Sequence, residues 1–124
     1  MNLEPFPMNL EPPAMRITVL GAGAWGTALA KLLHEAKHEV VLWGRTERLE
    51  VIGQKGRNER YLPGIDLPAN LSLKPELSTA LDNAGCVVVA FPSRNFREVA
   101  DGLKNFKGIA VSATKGIEHD SGLT

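Results

Sequence analysis

Gly21, Gly23 and Gly26 follow the apolar run Ile17-Thr18-Val19-Leu20 at the spacing G-x-G-x-x-G and open a segment, Thr27 to Ala36, that reads as a helix. A strand, this turn and a helix together form a device for holding a diphosphate. Gly21 permits the tight turn, Gly23 lets the backbone come close to the anion, and Gly26 lets the helix pack on the first strand. The unpaired N–H groups at the helix start, with the positive end of its dipole, then face the negative charge. The same spacing also serves a structural turn that binds nothing.

The second apolar run, His38-Glu39-Val40-Val41-Leu42-Trp43, reads as a strand beside the first, with Gly44-Arg45 at its carboxyl end. In a dinucleotide site this is where the adenosine ribose lies, and an acidic residue there accepts bonds from the 2′-hydroxyl. Arg45 stands there instead, and its guanidinium suits a 2′-phosphate, so NADP(H) is the favoured cofactor. Glu47, two residues on, keeps NAD(H) open by serving a ribose hydroxyl. The plain alternative for Arg45 and Arg48 is a pair of solvated charges at a helix start.

The elements that must position these residues alternate regularly from Arg16 onward. Strands are expected at 16–20, 39–43, 70–73, 86–91 and 109–113. Phe96, Val99, Ala100 and Leu103 recur at helical spacing, as do Leu77, Ala80 and Leu81 after Pro75. Repeated strand–helix–strand units give an α/β fold of the doubly wound Rossmann type, a parallel sheet with right-handed crossovers and strand order 3-2-1-4-5. Residues 16–124 form this domain, and residues 1–15 read as a flexible leader, with Met1-Asn2-Leu3-Glu4-Pro5 repeated as Met8-Asn9-Leu10-Glu11-Pro12. Met8 and Met15 are therefore alternative starts.

Ligands in such sheets sit outside the carboxyl ends of the strands, where the order reverses between the first and fourth. The fourth strand ends in Phe91-Pro92-Ser93 and the fifth in Ser112-Ala113-Thr114-Lys115-Gly116. Lys115 is placed to meet an anionic substrate, or is one more surface lysine. The stretch Gly53 to Pro68 breaks the rhythm as a long loop. It either lines the cofactor cleft or is a surface excursion with Tyr61 and Leu62 tucked into the core.

Composition narrows the remaining classes. The 124 residues, 44% of them hydrophobic, suffice for one domain with a single core. The 14 basic and 14 acidic residues cancel along the chain, so there is no footprint for nucleic acid or a membrane surface. Neither a secretory signal nor a run long enough to span a bilayer is present, which makes the cytoplasm the expected location. Cys86 is the single cysteine, within the run 86–91, and reads as a small buried hydrophobe. No metal site is expected.

The ordered motifs Gly-Ala-Gly-Ala-Trp-Gly-Thr-Ala-Leu-Ala at 21–30, Val-Leu-Trp-Gly-Arg at 41–45, Asn58 with Tyr61-Leu62-Pro63-Gly64, Phe91-Pro92-Ser93 and Ala113-Thr114-Lys115-Gly116-Ile117-Glu118 give the chain a family resemblance. It resembles bacterial NAD(P)-dependent glycerol-3-phosphate dehydrogenases, from about Arg16 to the last residue. The resemblance implies interconversion of sn-glycerol 3-phosphate and dihydroxyacetone phosphate, run physiologically to supply glycerol phosphate for phospholipid synthesis. It implies cofactor contacts at Gly21, Gly23, Ala24, Trp25, Gly26, Arg45, Pro92 and Lys115, with Lys115 also touching substrate.

In this family a second, helical domain supplies the proton-accepting lysine and the substrate-phosphate site. The chain therefore reads as the amino-terminal cofactor part of a longer enzyme or as a truncated gene product, without a catalytic residue of its own and inactive in isolation. A homodimer through the missing domain is expected, and the fifth strand would be an open edge. Two rivals stay open: a related hydroxyacid-type dehydrogenase, such as a ketopantoate-reductase-like or 6-phosphogluconate-dehydrogenase-like enzyme, and a stand-alone NADP(H)-binding module without catalysis.

Overall fold

A computed structural model describes residues 15–91, 96–104 and 106–113. Five strands, β1 (Arg16–Leu20), β2 (Glu39–Trp43), β3 (Ser72–Lys74), β4 (Cys86–Val89) and β5 (Ile109–Ser112), alternate with four helices. These are α1 (Ala24–Glu35), α2 (Thr46–Lys55), α3 (Leu77–Ala80) and α4 (Phe96–Gly102). All strand pairs are parallel and the order is β3-β2-β1-β4-β5, the expected Rossmann arrangement.

The strands read as continuous apolar runs because both faces of the sheet are covered. Their side chains still divide with period two. Ile17 and Val19 of β1, Val40 and Leu42 of β2, and Cys86 and Val88 of β4 join one cluster, with Leu29, Ala30 and Leu33 of α1 and Leu49 and Ile52 of α2. Leu20, Trp43, Val87 and Val89 face the other way, against Leu77, Val99 and Leu103. Each fully buried Leu or Val stabilises the fold by roughly 1.5–3 kcal/mol. On the second face Thr18 is wholly buried, and its hydroxyl donates to the Ala80 carbonyl at 2.5 Å, tying the short α3 to β1. That bond satisfies a polar group that would otherwise cost about 1–3 kcal/mol.

Several boundaries differ from the sequence expectation for identifiable reasons. Helix α1 begins at Ala24 rather than Thr27, so Gly26 lies inside its first turn. Helix α2 runs through Gly53 to Lys55 and stops at Gly56, whose left-handed φ of 69° and N–H bond to Ile52 O make it the C-terminal cap. The loop therefore starts three residues later than expected. Its neck is closed by an antiparallel bridge between Arg57 and Asp66, with Arg57 Nε donating to Asp66 Oδ1 at 2.6 Å and Leu67 N to Gly56 O at 2.8 Å. Asp66, and after it Glu59, hold the Arg57 guanidinium above its ordinary pKa. Strand β3 is displaced to Ser72–Lys74, because Asn70 belongs to a turn in which Leu71 N donates to Pro68 O.

Strand β4 ends at Val89, although Ala90 N still donates to Leu20 O. Phe91 beyond it packs edge-on to Trp43, with ring centroids 6.4 Å apart. Cys86 is half-buried rather than fully buried, since it opens β4 at the sheet end away from the glycine turn. Burial pushes its thiol pKa up. Strand β5 lies at the sheet edge and is exposed along its length, with Ile109 and Val111 among the exposed large apolar residues. No helix among the described residues is long and apolar enough to cross a membrane.

Candidate functional site

The glycine turn sits where the strand order reverses, between the carboxyl ends of β1 and β4. Each glycine has its own reason. Gly21 has φ of 119°, and a Cβ there would come 2.9 Å from Ala90 O. At Gly26 a Cβ would lie 1.8 Å from Gly21 O and 3.4 Å from Ala90 Cβ, so this glycine packs the helix on the turn itself and on the end of β4 rather than on β1. Gly23 is different: a Cβ there would meet no described atom within 4 Å, and its φ is an ordinary −83°. Neither the described packing nor the backbone requires glycine at 23. The backbone at Gly23 is therefore open to approach from outside the described residues.

The start of α1 is equally open. Thr27 N is the first helix amide with a backbone acceptor four residues back, Gly23 O at 3.0 Å, which leaves the N–H groups of Ala24, Trp25 and Gly26 without one. Among the described residues no side chain caps the helix, and no acidic residue occupies its first turn. Among the described residues, nothing neutralises the dipole's positive end.

Arg45 stands beside this turn. Gly21 N donates to Trp43 O at 2.8 Å, extending the β1–β2 ladder, and Gly44 must lack a side chain because a Cβ there would lie 2.7 Å from Ala22 Cβ. Arg45 follows as the N-cap residue of α2, exposed, with no ion-pair partner among the described residues. It lines a cavity of about 510 Å³ with Glu47, Arg48, Lys55, Asn58 and Tyr61. Arg48 is not a merely solvated charge: its guanidinium lies 4.1 Å from the Tyr61 ring centroid and donates to the phenol oxygen at 2.8 Å. Tyr61 and Leu62 are half-buried and outside the core, so the loop lines the cavity on the Arg45 side.

Trp25 and Ala24 are exposed at the mouth of the turn. The Trp25 indole N–H donates to Ala113 O at 2.6 Å, joining the start of α1 to the residue after β5. Pro92 and Lys115 lie outside the described residues. A second cavity, about 560 Å³, is lined by Asp82, Asn83, Phe106 and Lys107 among others. It opens at the amino ends of β4 and β5, the wrong end of a parallel sheet for a nucleotide.

Sequence reasoning assigned no structural part to Asn58, which is only 3% exposed. Its amide Nδ2 donates to Ala22 O at 2.9 Å and to Thr27 Oγ1 at 2.8 Å, holding the loop against the glycine turn. An Asn within a polar loop reads as exposed, so the sequence offered no signal of its burial. Its partners, 36 and 31 residues away, were not readable from spacing.

Comparison with known proteins agrees with this fold. Glycerol-3-phosphate dehydrogenase [NAD(P)+] of Stenotrophomonas maltophilia (strain R551-3) is 46% identical over 113 residues, covering 88% of this chain and 33% of that protein. The protein of the same name from Bacillus pumilus is 42% identical over 110 residues, covering 86% and 32%. The crystal structure of glycerol-3-phosphate dehydrogenase from Coxiella burnetii superposes with a TM-score of 0.73 at 31% identity, over 80% of this chain and 32% of that one. The chain thus spans about a third of the length of these relatives. Residues 16–124 match the family described as NAD-dependent glycerol-3-phosphate dehydrogenase N-terminus, and to that family the chain belongs.

Proposed function

We propose that this chain is the nicotinamide-nucleotide-binding part of an NAD(P)-dependent glycerol-3-phosphate dehydrogenase. The observation that carries this reading is Gly23, a glycine that no described neighbour requires, at the uncapped amino end of α1. The amides of Ala24, Trp25 and Gly26 hold the diphosphate, and the Arg45 cavity receives the adenosine end. The exposed guanidinium of Arg45 favours a 2′-phosphate, hence NADP(H), while Glu47 in the same wall accepts from a free ribose hydroxyl and admits NAD(H). When bound, the nicotinamide accepts or gives the hydride.

The substrate pair is sn-glycerol 3-phosphate and dihydroxyacetone phosphate, as the names of the relatives suggest, with glycerophospholipid precursors as the physiological product. Lys115, two residues beyond the carbonyl that Trp25 holds, is the residue we assign to the anionic substrate and the nicotinamide side of the cofactor. Turnover further needs a proton acceptor within hydrogen-bond reach of the substrate hydroxyl. The family resemblance assigns that acceptor to a helical domain, which is also the proposed dimer contact, and the whole enzyme is assigned to the cytoplasm.

Titrating the purified chain with NADPH and with NADH, followed by the fluorescence of Trp25 and Trp43, tests the reading. Saturable changes with both nucleotides, tighter for NADPH, are expected. An unchanged signal together with no binding in calorimetry would refute it.

A further inference from the structure

We infer that Asn58, which also borders the Arg45 cavity, is a positioning residue for nucleotide binding whose side-chain amide acts through the glycine turn. This rests on the reading that the turn carries the diphosphate. The Ala22 carbonyl belongs to the peptide that leads into Gly23. A carbonyl oxygen turned toward an anion would repel it, and a planar trans peptide sets its C=O and N–H on opposite sides. By donating to Ala22 O at 2.9 Å, Asn58 fixes that peptide plane and with it the direction of the Gly23 N–H. The second bond, to Thr27 Oγ1 at 2.8 Å, ties the same amide to the first turn of α1. Asn58 therefore clamps the two flanks of Gly23 together from behind.

The backbone of Asn58 serves the other end of the site. Its carbonyl accepts from Tyr61 N at 3.1 Å and Leu62 N at 2.7 Å, shaping the bend that sets Tyr61 under Arg48. The ion-paired neck at Arg57 and Asp66 closes the loop immediately before this residue. One buried amide thus joins the diphosphate turn to the cavity wall. A side-chain substitution breaks the first connection and leaves the second, backbone connection in place.

The test measures dissociation constants of the full chain for NADPH and NADH, with thermal unfolding recorded on each variant. Asn58→Asp keeps the volume but replaces the donating amide with an acceptor facing Ala22 O. Both constants should rise by the same factor, about tenfold, as expected when a buried hydrogen bond is lost, leaving the NADPH to NADH ratio unchanged. Thr27→Ala should weaken both nucleotides in the same way, and Thr27→Ser, which keeps the hydroxyl, should restore wild-type binding. This pair carries the test if Asn58→Asp does not fold. Wild-type affinities in Asn58→Asp and Thr27→Ala, even with lowered unfolding temperatures, would overturn the inference and leave Asn58 a packing residue. A wild-type chain that binds neither nucleotide would instead overturn the functional reading beneath it.

Discussion

Trp25 and Ala113 are joined by a 2.6 Å hydrogen bond from the indole N–H to the carbonyl oxygen, bringing together residues 88 apart in sequence. The bond spans the crevice end of the sheet, from the opening of α1 to the residue that leaves β5. Trp25 is 51% exposed, so the contact is a latch at the surface rather than part of the core. Trp25→Phe keeps the ring and removes the donor. It should weaken NADPH by about fivefold, in line with about 1 kcal/mol for one hydrogen bond, without lowering the unfolding temperature appreciably. Calorimetric titration of the variant checks this, and an unchanged affinity would detach the latch from binding.

Gly23 and Gly26 should respond oppositely to substitution. Gly23→Val introduces a side chain whose Cβ meets no described neighbour within 4 Å, so the fold should persist while nucleotide binding disappears. Gly26→Ala forces a methyl group to within 1.8 Å of Gly21 O, which should destabilise the fold itself by several kcal/mol, on the order of an overpacked core site. Circular dichroism melts alongside nucleotide titration separate the two outcomes.

Arg45→Ala should raise the dissociation constant for NADPH about 10- to 100-fold and that for NADH far less, the loss expected for a charge-assisted bond to a phosphate. Equal losses for both nucleotides would remove the 2′-phosphate from the Arg45 cavity.

In the whole enzyme, Lys115→Met should lower kcat/KM for glycerol phosphate by at least about tenfold, the scale of one lost charge-assisted contact. Steady-state kinetics at saturating cofactor provide the measurement, and a wild-type rate would return Lys115 to the surface.

Cys86 gives a pH dependence with a definite sign. Burial raises its thiol pKa in the folded chain above the unfolded value, so the unfolded state loses the proton first as pH rises. The stability that the neutral thiol contributes is fully present below the unfolded pKa. It is lost as pH climbs from there through the folded pKa. Cys86→Ala should show a shallower fall in unfolding temperature over that alkaline window than the wild type, and parallel curves would contradict this.

The fold was legible because apolar runs and helical spacings alternate from Arg16 onward, and the parallel sheet follows from that alternation with little freedom. Boundaries were less so. Gly26 argues against a helix by propensity, yet it lies in the first turn of α1, since the clash with Gly21 O outweighs the conformational cost of glycine there. Gly53 reads as a breaker for the same reason and is helical, while Gly56, able to take a positive φ, ends α2. The glycine turn and Arg45 were readable because their roles depend on near neighbours in sequence. The clamp of Asn58 and the stacking of Arg48 on Tyr61 were not, since both depend on where a closed loop falls back across the sheet.

The most direct test is an amide-resolved NMR titration of the chain with NADPH. Diphosphate held on the α1 amides predicts that the resonances of Gly23, Ala24, Trp25 and Gly26 shift first and furthest, with Arg45 and its cavity following. Shifts confined to the cavity around Asp82 and Lys107, or none at saturating nucleotide, would contradict the account.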